Sequence, residues 1–183
     1  VMAFGEIHPR SACQSVVGIF CRDILPILAE NGITELVLEA LFSDPEIEED
    51  LERFYETGRL NEKVTPMLLA NINLWVDAEQ IKLLLSKARE LGIRIHPGGL
   101  SRVTAQATIF QPDFSSRNDL RLLAQSEITQ NTLHKINHLL GQDRRIAVYS
   151  GRRHNDITPS PADQVNGVNY GMSLAERLGD AYF

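Results

Sequence analysis

Four short runs of strand-forming residues, each with an acid or a histidine within five residues of its end, set the limits on what this chain can become. They are Val1-Met2-Ala3-Phe4, Leu36-Val37-Leu38, Ile93-Arg94-Ile95 and Ile146-Ala147-Val148-Tyr149. Runs this short and this apolar read as strands covered on both faces. Between them the apolar residues recur at helical spacing. Val16, Val17, Ile19, Phe20, Ile24, Ile27 and Leu28 predict one helix up to a stop at Asn31-Gly32, with a kink at Pro26. An acidic helix is predicted over 45–57 with Gly58 after it, a helical piece over 65–72, and a clearer helix over 77–91 capped by Gly92. Residues 100–116 show no periodicity and read as a loop that covers the carboxyl edge. Ser115 or Ser116 then caps a long helix reaching Leu140, with a break expected near Gln125 to Thr129. A loop rich in Pro, Gly and Asn leads to a short helix over 173–178. Strands alternating with helices predict an α/β fold, a mostly parallel central sheet of about four or more strands flanked by helices.

The length, 183 residues, suits a single domain over 1–183, and the abrupt opening strand reads as a piece of a longer chain. The net charge of −6 argues against a nucleic-acid-binding surface, which needs a basic face. No window approaches the roughly 18 apolar residues that span a bilayer. The two cysteines, Cys13 and Cys21, fall in one predicted helix, about 12 Å apart along its axis. That is beyond the roughly 7 Å limit for a disulfide.

In a parallel sheet every strand's carboxyl end lies on one edge, and ligands bind there. The predicted ends carry Glu6 and His8, Glu39, His96 and His154. Two imidazoles and one or two carboxylates suit two chemistries: a three-ligand divalent-metal site with an open water position, or a metal-free Glu–His pair acting on water. The residue types leave both open. His96 reads more readily as a structural histidine. His134 and His138, four apart on a helix, lack the intervening acid of a zinc-protease helix and read as an exposed face. Arg152-Arg153 beside His154 read as solvated, or as a site for an anion. Tyr149 and Tyr170 read as packed rather than as ligands to haem iron.

The strings Gly5-Glu6-Ile7-His8 and Gly151-Arg152-Arg153-His154 are both Gly-x-x-His, each just after an apolar strand. With Glu39 ending the second strand, they resemble the Tiki/ChaN/erythromycin-esterase-like superfamily. The resemblance is greatest to ChaN-like haem-uptake proteins and related domains of large bacterial toxins. It runs through Asn31 to Glu39, Phe54 to Gly58, Ala88 to Ile95, Arg117-Asn118, His154-Asn155 and Gly171. The resemblance implies a site of Glu6, His8, Glu39 and His154, with His8, Glu39 and His154 as metal ligands, and Arg117 and Asn155 toward the substrate. It implies a metal-dependent hydrolase of ester or amide bonds with a small-molecule or peptide substrate. The alternatives are a haem or other ligand binder without turnover, and an effector or toxin module. It leaves room for a homodimer and for a secreted or membrane-associated parent. The Gly-Glu-x-His spacing is the ChaN-like one; the esterases insert one more residue, which weakens an esterase mechanism.

Overall fold

Four parallel strands carry the fold in the computed structural model, which describes residues 1–6, 16–61, 78–151 and 174–181. They are β1 (Met2–Glu6), β2 (Glu35–Leu38), β3 (Arg94–Pro97) and β4 (Ile146–Gly151), in the order β1-β4-β2-β3. Met2 pairs with Ala147 and Glu6 with Gly151, while Leu36 pairs with both Ala147 and Ile95. The two central strands are buried at every residue, which is why they read as unbroken apolar runs. On β3, at an edge, exposed Arg94 alternates with buried Ile95.

The helices divide between the sheet's faces as right-handed crossovers require. From β1 to β2 the chain moves across the sheet through α1 (Val16–Ile19), a π-helical turn (Phe20–Ile24) and α2 (Leu25–Glu30). It moves the same way from β2 to β3 through α3 (Pro45–Thr57) and α4 (Ala78–Glu90). Both crossovers bury their apolar residues on one face, where Phe20, Leu25, Ile47, Leu51, Ile81 and Leu84 pack with Leu36, Leu38, Ile95 and Tyr149. From β3 to β4 the direction reverses, so a right-handed connection must return over the opposite face. There Ile136 and Leu139 of α6 (Asn118–Leu140) pack on Val37, Ile146 and Val148. Leu174 of α7 (Leu174–Leu178) joins that second cluster.

Local chemistry accounts for the element ends. Pro26 has no N–H to bond back by one turn, and the irregularity appears just before it: the Leu25 N–H reaches the Phe20 carbonyl, five residues back. The kink expected at Pro26 is thus a π turn. Gly58 ends α3 in the left-handed region at φ 75°, its N–H on the Phe54 carbonyl.

Two expectations are corrected. Residues 100–116 are not featureless: α5 (Arg102–Ala107) is capped by Ser101, whose side chain accepts from the Thr104 N–H, and a 3-10 turn covers Phe114–Ser116. A six-residue helix is too short to show periodicity. The long helix is continuous through 125–129, and Arg117 rather than a serine stands at its N-cap. Its buried stripe includes Thr129 and Thr132, so polar residues interrupted the apolar pattern. The Thr129 hydroxyl donates to the Gln125 carbonyl within the helix at 3.0 Å. The helical piece expected over 65–72 lies outside the described residues. Among the described residues no helix is long and apolar enough to cross a membrane.

Phe20 ties the crossover to the site-bearing strands, its ring 5.4 Å from that of Phe4 on β1 and 4.5 Å from that of Tyr149 on β4. Phe20→Ala is expected to lower unfolding free energy by about 3–5 kcal/mol in urea titration. Ile19→Ala, next to it but 45% exposed, should cost under about 1 kcal/mol. Equal losses would mean that the aromatic contacts do not fasten β1.

Candidate functional site

The sheet order brings three of the sequence-marked strand ends side by side. β4 lies between β1 and β2, so Glu6, Gly151 and Glu39 come from neighbouring strands at one edge. β1 and β2 lead to helices on the larger face, whereas the chain following β4 has reached the other face by Leu174. Where adjacent strands lead to helices on opposite faces, ligands bind outside their carboxyl ends, and β4 has β1 on one side and β2 on the other.

Glu39 follows β2 directly. Its N–H donates to the Tyr149 carbonyl at 3.1 Å, one more rung of the β2–β4 ladder. In a parallel ladder the following rung would run from the Gly151 N–H to the Glu39 carbonyl. The Gly151 N–H instead meets the Glu39 carboxylate, with Oε2 at 2.5 Å. A charged side-chain acceptor stands where a peptide carbonyl would, so the two strands can part at this edge while the Gly151 amide stays satisfied. Gly151 is the first residue of the second Gly-x-x-His string. The donor is a main-chain amide, which no side-chain pattern announces. Glu6 is placed by its backbone, opposite Gly151 in the β1–β4 register.

His8, His154 and Asn155 lie outside the described residues, as do Arg152, Arg153, Tyr170 and Cys13. Among the described residues no three His, Cys, Asp or Glu side chains gather as a metal site. The expected ligand set has the right chemistry for a divalent ion: two imidazole nitrogens and one carboxylate. The Gly151 N–H on Glu39 is also the kind of outer hydrogen bond that orients a ligating carboxylate.

Arg117 stands at the start of α6, exposed, with its guanidinium on Asp119 and Asp113. Those two carboxylates raise its pKa further, the Asp119 hydrogen bond foremost. Tyr149 is buried with its ring against Phe20, a packed core residue.

His96 does not belong to this edge. It lies within β3, and its Nε2 is 2.7 Å from Oε2 of Glu35, the first residue of β2. Both are largely buried, and Arg144 Nε lies 3.8 Å from the other Glu35 oxygen. Beside them the Tyr55 hydroxyl accepts from the Ile95 N–H at 2.6 Å, and burial raises the Tyr55 pKa. These contacts fasten β3 to β2 and to α3.

Comparison with protein-family models and with curated protein sequences gave no match. Solved structures share the fold. RRSP, a MARTX toxin effector domain from Vibrio vulnificus, superposes with a TM-score of 0.61 at 18% identity, over 84% of this chain and 27% of its own. A structure described as bacterial protein toxins gives 0.64 at 17% identity, over 97% and 32%. The C-terminal region of Pasteurella multocida toxin, described as holding a thiol-protease-like catalytic triad, gives 0.57 at 17% identity, over 82% and 18%. The chain therefore has the fold of bacterial toxin effector domains and spans about a third or less of the length of these neighbours.

Cys21 is no thiol nucleophile. It is buried in the larger core cluster, and desolvation pushes its thiol up to about 11. Against a free thiol, native Cys21 is expected to react with iodoacetamide at pH 8 about a hundredfold more slowly, and at the normal rate once unfolded. Equal rates would show the thiol to be accessible. His96→Ala should cost about 1–3 kcal/mol in thermal or urea unfolding, because it strips a partner from buried Glu35.

Proposed function

We propose that this chain is an effector module of the bacterial-toxin type whose crevice hydrolyses an amide or ester bond in its target. The observation that carries the reading is the meeting of the two strand ends at the Glu39–Gly151 hydrogen bond, with Glu6 in register beside it. That edge belongs to a fold shared with toxin effector domains. A hydrolytic site needs a base for water and groups that orient it, and the acids and histidines carried to this edge are of that kind.

In the proposed reaction Glu6 takes a proton from water as the water oxygen bonds to the substrate carbonyl carbon. The bond to the amine or alcohol then breaks, and the leaving group takes up that proton. His8, Glu39 and His154 are the proposed holders of a divalent ion, which would polarise the carbonyl and lower the pKa of bound water. Arg117 is the proposed contact for a substrate long enough to reach beyond the edge: fourteen residues before Asn131 along α6, it stands roughly 21 Å from the level of β3's exit. Asn155 is the proposed contact nearer the cut. A substrate of that reach is a polypeptide, which suits an effector.

The test is to incubate purified protein with eukaryotic cell extract and map new protein N-termini by mass spectrometry. A reproducible cleavage that falls by about 100-fold or more in Glu6→Gln, His8→Ala and His154→Ala, and survives in His96→Ala, is the expected result. Loss on chelation, with recovery on adding zinc or manganese, would support the ion; undiminished cleavage in chelator would leave Glu6 and the histidines acting alone. Saturable haem binding with a Soret shift and no cleavage would overturn the hydrolase in favour of ligand uptake.

A further inference from the structure

The turn after β3 is held by side chains of α6 to an extent that its own sequence does not require. The Thr132 hydroxyl donates to the Gly98 carbonyl at 2.8 Å, and the Asn131 amide donates to the Gly99 carbonyl at 2.8 Å. One turn earlier on the same helix face, Glu127 accepts from the Ser101 N–H at 2.8 Å. Burial opposes ionisation of Glu127, but hydrogen bonds from Thr104, Ser101 and Asn131 outweigh it and hold the carboxyl below its usual range.

On its other side this turn lies against the exit of β2. The Gly98 N–H donates to the Leu38 carbonyl and the Gly99 N–H to the Leu41 carbonyl, both at 3.0 Å. A side chain on Gly99 would overlap the carbonyl oxygens of Glu39 and Leu41, and one on Gly98 would press on Val37 and Thr132. Main chain therefore meets main chain here, with no flexible group between to absorb a displacement. A shift of the glycine pair must move the Glu39 peptide, and with it the carboxylate that meets Gly151.

We propose that Asn131 and Thr132 are positioning residues for Glu39, acting through Gly98 and Gly99 to hold its carboxylate on the Gly151 amide. The role rests on the proposed Glu39 site but is read without any substrate. A helix face would thereby set the geometry of a carboxylate that it does not touch. Helices suit this, because their side chains hold position better than a loop does.

The experiment is an NMR measurement of the Gly151 amide in nitrogen-15-labelled protein at neutral pH. A hydrogen bond to a carboxylate draws the amide proton downfield and slows its exchange, and Glu39→Ala is expected to remove both effects. Asn131→Ala and Thr132→Val are expected to move the resonance upfield and to speed Gly151 hydrogen exchange roughly tenfold. Thr132→Ser keeps the hydroxyl and should restore both. Leu139→Ala, in the second half of the same helix, lowers stability without touching the turn and should leave the resonance in place. Should Asn131→Ala fail to fold, the Thr132→Val and Thr132→Ser pair decides alone. A wild-type Gly151 resonance and exchange rate in Thr132→Val, or an equal shift in Leu139→Ala, overturns the proposal. Absence of cleavage with an intact Gly151 resonance would sink the hydrolase and leave the positioning role standing.

Discussion

The handedness of strand connections is the constraint from which the candidate site follows. A right-twisted strand leading into a right-handed helix packs back on the sheet in one sense only. Two crossovers in one direction and a third in reverse therefore load the two faces differently, and β4 is inserted between β1 and β2. The chain that follows it has reached the opposite face by Leu174. A switch point of this kind is a result of chain direction, prior to any choice of side chain.

What those side chains add is satisfaction of the backbone where the sheet comes apart. Strands that diverge leave peptide groups without a ladder partner, and a buried unpaired amide costs about 1–3 kcal/mol. Gly151 is buried and its amide is met by Glu39. The same carboxylate can thus serve the fold and the chemistry at once. That dual duty separates it from the Glu35–His96 pair, which joins β2 to β3 within the sheet, with Arg144 beside it.

The architecture was legible because its signals are short-range: apolar runs for the buried strands, Pro45 and Gly58 bounding α3, Asn31-Gly32 after α2. α5 escaped notice because six residues hold under two turns, and the continuity of α6 was masked by the buried Thr129 and Thr132. Of the expected site, Glu6 and Glu39 arrive at the ends of the two strands that flank β4, Glu6 as the last residue of β1 and Glu39 directly after buried β2. His96 misled because it falls one residue before the strand's end, and a strand residue faces a side of the sheet rather than its edge. Long-range relations such as Gly151 to Glu39, or Asn131 to Gly99, leave no trace in local pattern. Each joins backbone to side chain across more than thirty residues.

The pairing of β1 with β4 joins residues 2–6 to 147–151, almost the full length of the chain. Contacts of such separation form late, because the loop that they close must be ordered first. During synthesis β1 emerges before its partner β4 by more than a hundred residues, while β2 and β3 already have each other. Among the described strands, the one bearing Glu6 is also at an edge, bonded to β4. It is thus the natural unit for exchange between two copies of the chain, or for supply as a separate peptide to a fragment that lacks it. The edge that carries Glu6, Gly151 and Glu39 is then a late part of the fold to come into being, complete only when β1 meets β4.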